Sequence, residues 1–281
     1  MLLLIFGIII IIIIVVYNIT PNLHLKNTII PFYSRRDSVF PKIKKLKEVT
    51  IFCSSGLSNR IRTILGFLAV CKRFNKILNV IWISDNTCNG NFTDYFEGIN
   101  NVNFLEHKVE PIHYVGQNTI KNICDNYNID VKESELYSNI KLKKHMENKL
   151  DIFVNKYNIE NTVGIHVRRT DYTGNFIGKL LNGSNEDENF FNFIDKYSFN
   201  KPFFIATDNS ETQKIFRKKY KDRMLVYSKI EDTDCLRKTN LENAILDIFI
   251  LSKCKKIKGT FKSSFTEFAI NLKRSYRRKL I

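Results

Sequence analysis

The sequence predicts an α/β protein of two parallel-sheet halves behind an apolar N-terminal segment, and three observations predict it. Short β-branched runs alternate with helical stretches from about residue 48 to the C-terminus. Polar clusters follow directly on several apolar runs, where an open parallel sheet binds its ligands. Residues Leu2 to Tyr17, LLLIFGIIIIIIIVVY, carry no charge.

Residues 1–17 are expected to be a transmembrane signal-anchor. The stretch sits at the short end of a span, which takes roughly 17–25 apolar residues. It lacks the basic start and small-residue cleavage site of a removable signal peptide, the competing reading. The nearest basic residues, Lys26, Arg35, Arg36 and the run KIKKLK, all follow it. They would favour a cytoplasmic body, so a luminal body needs another determinant. Residues 18–46 read as a stalk or linker. Asn18, Asn91 and Asn182 each open an N-x-S/T triplet, which decides nothing in a chain this rich in asparagine.

The first half is expected at 47–160. VTIFCSS (49–55) reads as a strand and a glycine turn follows. Residues 58–74 read as a helix with Ile61, Ile64, Leu65, Phe67 and Leu68 at helical spacing. ILNVIWI (77–83) and VNFLEH (102–107) read as further strands, and 138–158 as a helix. The second half, 161–281, alternates strands at 162–167, 202–208, 223–229 and 255–260 with helices at 187–197, 210–220, 239–254 and 263–273. Ser210 is a plausible helix cap, with Thr207, Asp208 and Asn209 competing. Two such halves leave a cleft between them.

The net charge is +16, and lysine, asparagine and isoleucine are all abundant. An A+T-rich coding sequence gives that combination, so much of the charge reads as background. A basic surface favours anionic partners. No arginine block and no basic run interleaved with aromatics points to nucleic acid. The six cysteines, Cys53, Cys71, Cys88, Cys124, Cys235 and Cys254, form no CxxC pair, which argues against zinc. Their even number permits three disulfides in an oxidising compartment. Mostly free, half-buried thiols are the plainer expectation, with Cys71 and Cys254 at apolar helix positions.

Three polar clusters fall at strand ends of the second half: Arg168, Arg169 and Asp171; Thr207, Asp208 and Asn209; Thr260, Ser263 and Ser264. Two guanidinium groups match diphosphate oxygens in pairs and stay charged at any cellular pH. A helix start near Ser263 and Ser264 adds backbone N–H donors. Together they can stabilise a diphosphate leaving group, so the site is expected to work without a metal ion. An arginine pair after a strand is, by itself, usually a solvated turn or an ion pair. Convergence of three clusters on one sheet edge shifts that reading. His166, taken alone, reads as a satisfied core residue. Asp247, inside AILDIFILS, needs a partner on its apolar face. It is either the mate of a buried arginine or a functional acid.

GIHVRRTDY resembles the HxRRxD segment of α-1,6-fucosyltransferases and their bacterial nodulation relatives. FFIATDN resembles that family's strand ending in T-D-[DN]. ILDIFILSKCKKIKGTFKSSFTEFA resembles its D-I-x-x-L-S helix followed by a T-F-x-S-S turn. The segments come in the family's order and cover most of 162–270. GLSNRIR resembles, more loosely, the first loop of the wider superfamily, which includes α-1,2- and protein-O-fucosyltransferases. Residues 84–160 carry no such likeness.

The resemblance implies a GT-B fold of two Rossmann-like lobes, with an acceptor-binding first lobe and a second lobe that binds GDP-fucose. It implies metal-independent, inverting transfer to a glycan or glycoconjugate, and a membrane-anchored body on the luminal, Golgi/ER-type side. Arg168 and Arg169 would bind the diphosphate, with Arg168 the more important, and Asp171 would orient their segment. Asp208 would contact the nucleotide region, Asp247 would hold an arginine or the donor, and Ser263 and Ser264 would bind phosphate. His166 and Thr260 complete the donor-binding set, and Gly56, Asn59 and Arg60 form the first-lobe loop. Arg168, Asp171 and Asp247 are the catalytic candidates. The general base is open between Asp171, Asp208 and a first-lobe residue. Tyr172 and Phe176 stand where the α-1,6 enzymes carry lysine and glutamate, so the linkage is open too. The alternatives are the same fold using another nucleotide sugar, or a non-catalytic anchored module that binds glycans.

Overall fold

A computed structural model describes residues 40–169, 187–228, 230 and 240–278. The expected anchor and residues 18–39 of the expected stalk lie outside these residues, while 40–46 pack on the first half: Ile43 is buried, and the Phe40 and Tyr114 ring centroids are 5.7 Å apart. Among the described residues no helix is long and apolar enough to cross a membrane.

The first sheet is built from β1 (Glu48–Cys53), β2 (Ile77–Ile81), β3 (Val102–Leu105) and β4 (Tyr114–Gly116). All are parallel, in the order β3-β2-β1-β4. The second contains β5 (Val163–Val167), β6 (Phe203–Thr207), β7 (Met224–Leu225) and β8 (Lys256–Gly259), again all parallel, in the order β7-β6-β5-β8. Each half therefore runs third-second-first-fourth. The strand order reverses beside β1 in one and beside β5 in the other, which makes the β5/β8 boundary a topological switch point. All five residues of β5 and of β6 are buried. Burial on both faces explains why these strands read as continuous apolar runs, with no alternation.

Helix α1 (Leu57–Phe74) follows β1 and ends at Asn75, which adopts the left-handed conformation with φ 51°. Residues 84–160, which carry no family likeness, hold four helices: α2 (Phe92–Tyr95), α3 (Ile120–Asn126), α4 (Glu133–Leu136) and α5 (Lys144–Tyr157). The helix expected from 138 starts only at Lys144, because a 3-10 turn occupies Tyr137–Asn139. In the second half come α6 (Asp187–Tyr197), α7 (Ser210–Tyr220), α8 (Leu241–Lys253) and α9 (Ser264–Arg278). Asn209 caps α7, its side chain accepting from the Thr212 N–H at 2.7 Å. Ser210 is thus the first helical residue, one position past the cap. The strand expected over 223–229 is only two residues long, since the chain leaves the sheet before Ser228.

The larger apolar core runs through both halves. Phe67, Leu68 and Ile123 share it with Ile245, Phe249, Phe268 and Leu272. A smaller core, with Val163, Ile165, Phe190, Phe203 and Phe216, lies under α6 and α7. Helix α9 returns to the first half. Phe268 packs on Tyr137 with ring centroids 5.2 Å apart, and Glu267 approaches Arg62 of α1 at 3.7 Å. Lys149 of α5 pairs with Glu242 of α8 at 2.6 Å. Cys53, Cys71, Cys124 and Cys254 are buried free thiols and Cys88 is buried, while Cys235 lies outside the described residues.

Helix α8 lies directly against β5. A Cβ on Gly164 would come within 2.7 Å of the Cys254 Sγ and 2.9 Å of a Leu251 methyl. Gly164→Ala is expected to destabilise the fold by about 1–3 kcal/mol through overpacking. Urea unfolding of the variant against the parent measures it.

Candidate active site

A cleft of about 620 Å³ opens at the carboxyl ends of both sheets, within the ordinary size of small-molecule sites. One wall comes from the first half: Gly56 to Asn59 at the start of α1, and the loop Ser84 to Asn89 after β2. The other carries His166, Arg168, Thr207, Asp208, Asp247, Ser264 and Phe265, with Asn240, Leu241 and Ala244 of α8.

Thr260 stitches the switch point. Its hydroxyl accepts the Arg168 main-chain N–H at 2.9 Å and donates to the His166 carbonyl at 3.2 Å, while its own N–H donates to that carbonyl at 2.9 Å. Three residues on, α9 begins with Ser263 as the residue before the helix. Gly259 makes this approach possible, since a Cβ there would fall 2.2 Å from the Thr266 side chain. Thr266 instead reaches His166 Nδ1 at 2.8 Å, and Phe265 stacks on the imidazole with centroids 4.4 Å apart. Burial drives the His166 pKa down to about 4, with Asp208 opposing and Arg168 reinforcing the shift. The ring is therefore neutral at physiological pH. It is both the satisfied core residue expected of a lone strand histidine and a cleft-lining group.

The two arginines separate. Arg168 lines the cleft. Arg169 is not among the cleft-lining residues: its N–H donates to Asp208 Oδ1 at 2.8 Å and its guanidinium forms an ion pair with Asp187 at the start of α6. The structure thus brings Arg168, Asp208, Thr260 and Ser264 together and leaves the Arg169 side chain outside. Asp171, Tyr172 and Phe176 lie outside the described residues.

Asp247 is 3 % exposed and lines the cleft. The Ser228 hydroxyl donates to its Oδ2 at 2.8 Å, and Oδ1 has no hydrogen-bond partner among the described residues. Among the described residues its partner is Ser228 and not an arginine, which leaves the second reading, a functional acid, open. Burial raises its pKa to about 8, with the Ser228 bond only partly offsetting this. The hydroxyls of Thr207 and Ser263 are likewise buried, without a hydrogen-bond partner among the described residues. Three orphaned polar groups at one end of one sheet are unusual, since buried polar atoms are nearly always paired. Of the three, Thr207 and Asp247 line the cleft.

In the first half, Gly56 caps α1 and Asn59 donates to the Ser55 hydroxyl at 3.0 Å. Arg60 does not reach the cleft. It is 1 % exposed and holds the loops behind it. Sequence reasoning missed the loop Ser84 to Asn89, although SDNTCN is a polar run just past a strand end, the same signal used in the second half. Among the described residues no cluster of His, Cys, Asp and Glu could hold a metal ion. An Asp-x-Asp triplet of the kind that binds metal in other nucleotide-sugar enzymes does occur, at Asp232, Thr233 and Asp234. The metal-free expectation passed over it, and it lies outside the described residues.

Residues 136–279, just over half of the chain, match the family described as alpha-(1,6)-fucosyltransferase N- and catalytic domains. The chain belongs to that family and is a glycosyltransferase of the fucosyltransferase superfamily. Solved structures share its two-lobed α/β, GT-B fold. NodZ alpha-1,6-fucosyltransferase co-crystallised with GDP aligns with TM-score 0.56 at 14 % identity, over 80 % of this chain and 92 % of that one. The NodZ fucosyltransferase from Bradyrhizobium aligns with TM-score 0.55 at 13 % identity, over 80 % and 92 %. Apo POFUT1 aligns with TM-score 0.53 at 11 % identity, over 82 % and 96 %. No curated protein sequence matches the chain.

The two shifted groups act on stability in opposite directions. His166, depressed to about 4, gives stability that is lost as pH falls from its unfolded value of 6.5. Asp247, raised from 3.8 to about 8, costs stability progressively as pH rises between those values. Between about pH 4 and 6.5 the two largely cancel, and from 6.5 to 8 the Asp247 loss remains, with a slope of about 1.4 kcal/mol per pH unit at most. Denaturant titrations of the ligand-free protein should show that fall, and Asp247→Asn should flatten it.

Proposed function

We propose that this glycosyltransferase moves fucose from GDP-fucose to a hydroxyl of a glycan or glycoconjugate, by inverting displacement without a metal ion. The observation that carries the reading is the placement of Arg168 and the start of α9 on one rim of the cleft, tied together through Thr260. The NodZ structures obtained with GDP and with GDP-fucose, and POFUT1 in complex with GDP, support the choice of donor on the same fold.

The donor diphosphate lies between the Arg168 guanidinium and the first turn of α9, with Ser263 and Ser264 as further donors. As the bond from fucose to the diphosphate breaks, negative charge grows on the leaving oxygens. The guanidinium and the helix N–H groups stabilise it where it develops. His166, held neutral, orients the segment without adding a second charge. Arg169, braced by Asp187 and Asp208, acts on the Arg168 backbone in place of direct phosphate contact. The unpartnered oxygen of Asp247 accepts N–H groups of the base, and guanine presents two adjacent ones. The acceptor hydroxyl attacks from the side opposite the diphosphate, so it arrives along the first-half wall. Its proton goes to Asp171, Asp208 or a first-half group. Residues 2–17 anchor the enzyme to a membrane.

Replacing Arg168 by alanine is expected to lower GDP release from GDP-fucose by roughly 10²–10³-fold, the usual loss on removing one transition-state donor, with unchanged circular dichroism. Turnover at the parent rate would end the catalytic assignment of Arg168. A donor panel comparing GDP-, UDP- and dTDP-sugars, with and without EDTA, checks the sugar nucleotide and the metal independence together.

A further inference from the structure

The first-half wall of the cleft is organised around one buried guanidinium that does not itself line the cleft. Arg60 Nε donates to the Ser55 carbonyl at 2.6 Å and Nη1 to the Ile83 carbonyl at 2.6 Å. Those two residues stand where the chain leaves the first sheet, one just before Gly56 and the other just before Ser84. Nη2 donates to Asp85 Oδ2 at 2.5 Å. The second Asp85 oxygen accepts from the Thr87 N–H at 2.8 Å, the Thr87 hydroxyl at 2.7 Å and the Cys88 N–H at 3.0 Å. Behind the pair, the Arg60 guanidinium lies 5.1 Å from the centre of the Trp82 ring, and Trp82 Nε1 donates to the Gly90 carbonyl at 2.9 Å. One side chain thus sets the start of both cleft-lining loops, and its mate folds the second loop from Asp85 to Cys88.

We propose that Arg60 and Asp85 form a positioning pair, which shapes the first-half wall so that the loops Gly56–Asn59 and Ser84–Asn89 close on the nucleotide held by the opposite wall. The inference rests on the donor reading of the cleft given above. Asp85 lines the cleft, yet four donors already converge on its two oxygens, which suits a brace and not a proton acceptor. Burial pushes its pKa up, but Thr87, Arg60 and Cys88 outweigh that and hold it below the ordinary carboxylate value. The brace therefore stays charged at neutral pH. Arginine is required for geometric reasons, since a lysine ammonium cannot span two carbonyls and a carboxylate in one plane.

The test uses the full chain with GDP as the probe, at a temperature where parent and variants are folded. Calorimetry gives the Kd, hydrogen exchange the order of amides 84–89, and thermal melts the stability. Asp85→Asn keeps the shape and removes the charge, and is expected to weaken GDP binding roughly tenfold or more, because small displacements of positioning groups are costly. Exchange at 84–89 should speed up in the same variant. Arg60→Lys should weaken binding as strongly despite keeping its charge, and Thr87→Val, which removes a single donor, should act in the same direction and less. If Asp85→Asn does not fold, Thr87→Val and Arg60→Lys carry the comparison. A lowered melting temperature with GDP affinity within twofold of the parent would make the pair merely structural and overturn the proposal. A parent protein that binds no GDP would instead overturn the donor reading itself, before any variant is compared.

Discussion

At the carboxyl ends of β5 and β8 the chain departs in two directions, and the Thr260 hydroxyl keeps those departures side by side. It accepts from Arg168 and donates to the carbonyl of His166. Each bond contributes only about 0.5–1.5 kcal/mol net, but leaving either buried partner unsatisfied costs more. The stitch fixes the main chain of Arg168, and with it the side of the sheet on which its guanidinium emerges. It also fixes where α9 begins, because only Phe261, Lys262 and Ser263 separate Thr260 from the helix. A displaced Thr260 would move the Arg168 main chain and the helix start apart.

Among the described residues, the cation that lines the cleft from the strand ends is Arg168. His166 is kept neutral by burial, with Arg168 reinforcing and Asp208 opposing the shift. Arg169 is matched by Asp187 and fixed to Asp208 through its backbone. Asp247, with its high pKa, adds no full negative charge at neutral pH while the cleft is empty. An anionic ligand at this wall therefore meets the Arg168 guanidinium and the helix dipole alongside the Asp208 side chain, with His166 neutral.

Much of the second half was legible because its chemistry is local. Strands buried on both faces read as apolar runs, helices show their periodicity, and polar residues at strand ends announce the ligand edge. The fate of Arg169 was not legible. Two adjacent arginines are equivalent in sequence, and only the position of Asp187, eighteen residues on at the start of α6, decides which one turns away. Asp247 was correctly marked as needing a partner, but Ser228 supplies it from a segment that leaves the sheet early, which no strand pattern foretells. The first half was harder to read. Its site-building loop is polar and short, and the helices around it are four to seven residues long, below the length at which periodicity speaks. Arg60 belongs to the same class of failure. Its position beside the loop was visible, while its inward direction depends on Trp82 and Asp85, brought close only by the pairing of β1 with β2.

Helix α9 starts on the cleft rim and finishes against α1 and α4, within an apolar core that runs unbroken through both halves. Lobes joined by a thin, polar junction can swing apart to admit a ligand, but this junction is thick and greasy. A hinge that parted the halves would have to strip Phe268 and Leu272 from their neighbours. Passage of substrate and product is then a matter for the short loops at the mouth, with the body of the enzyme behaving as a rigid jaw.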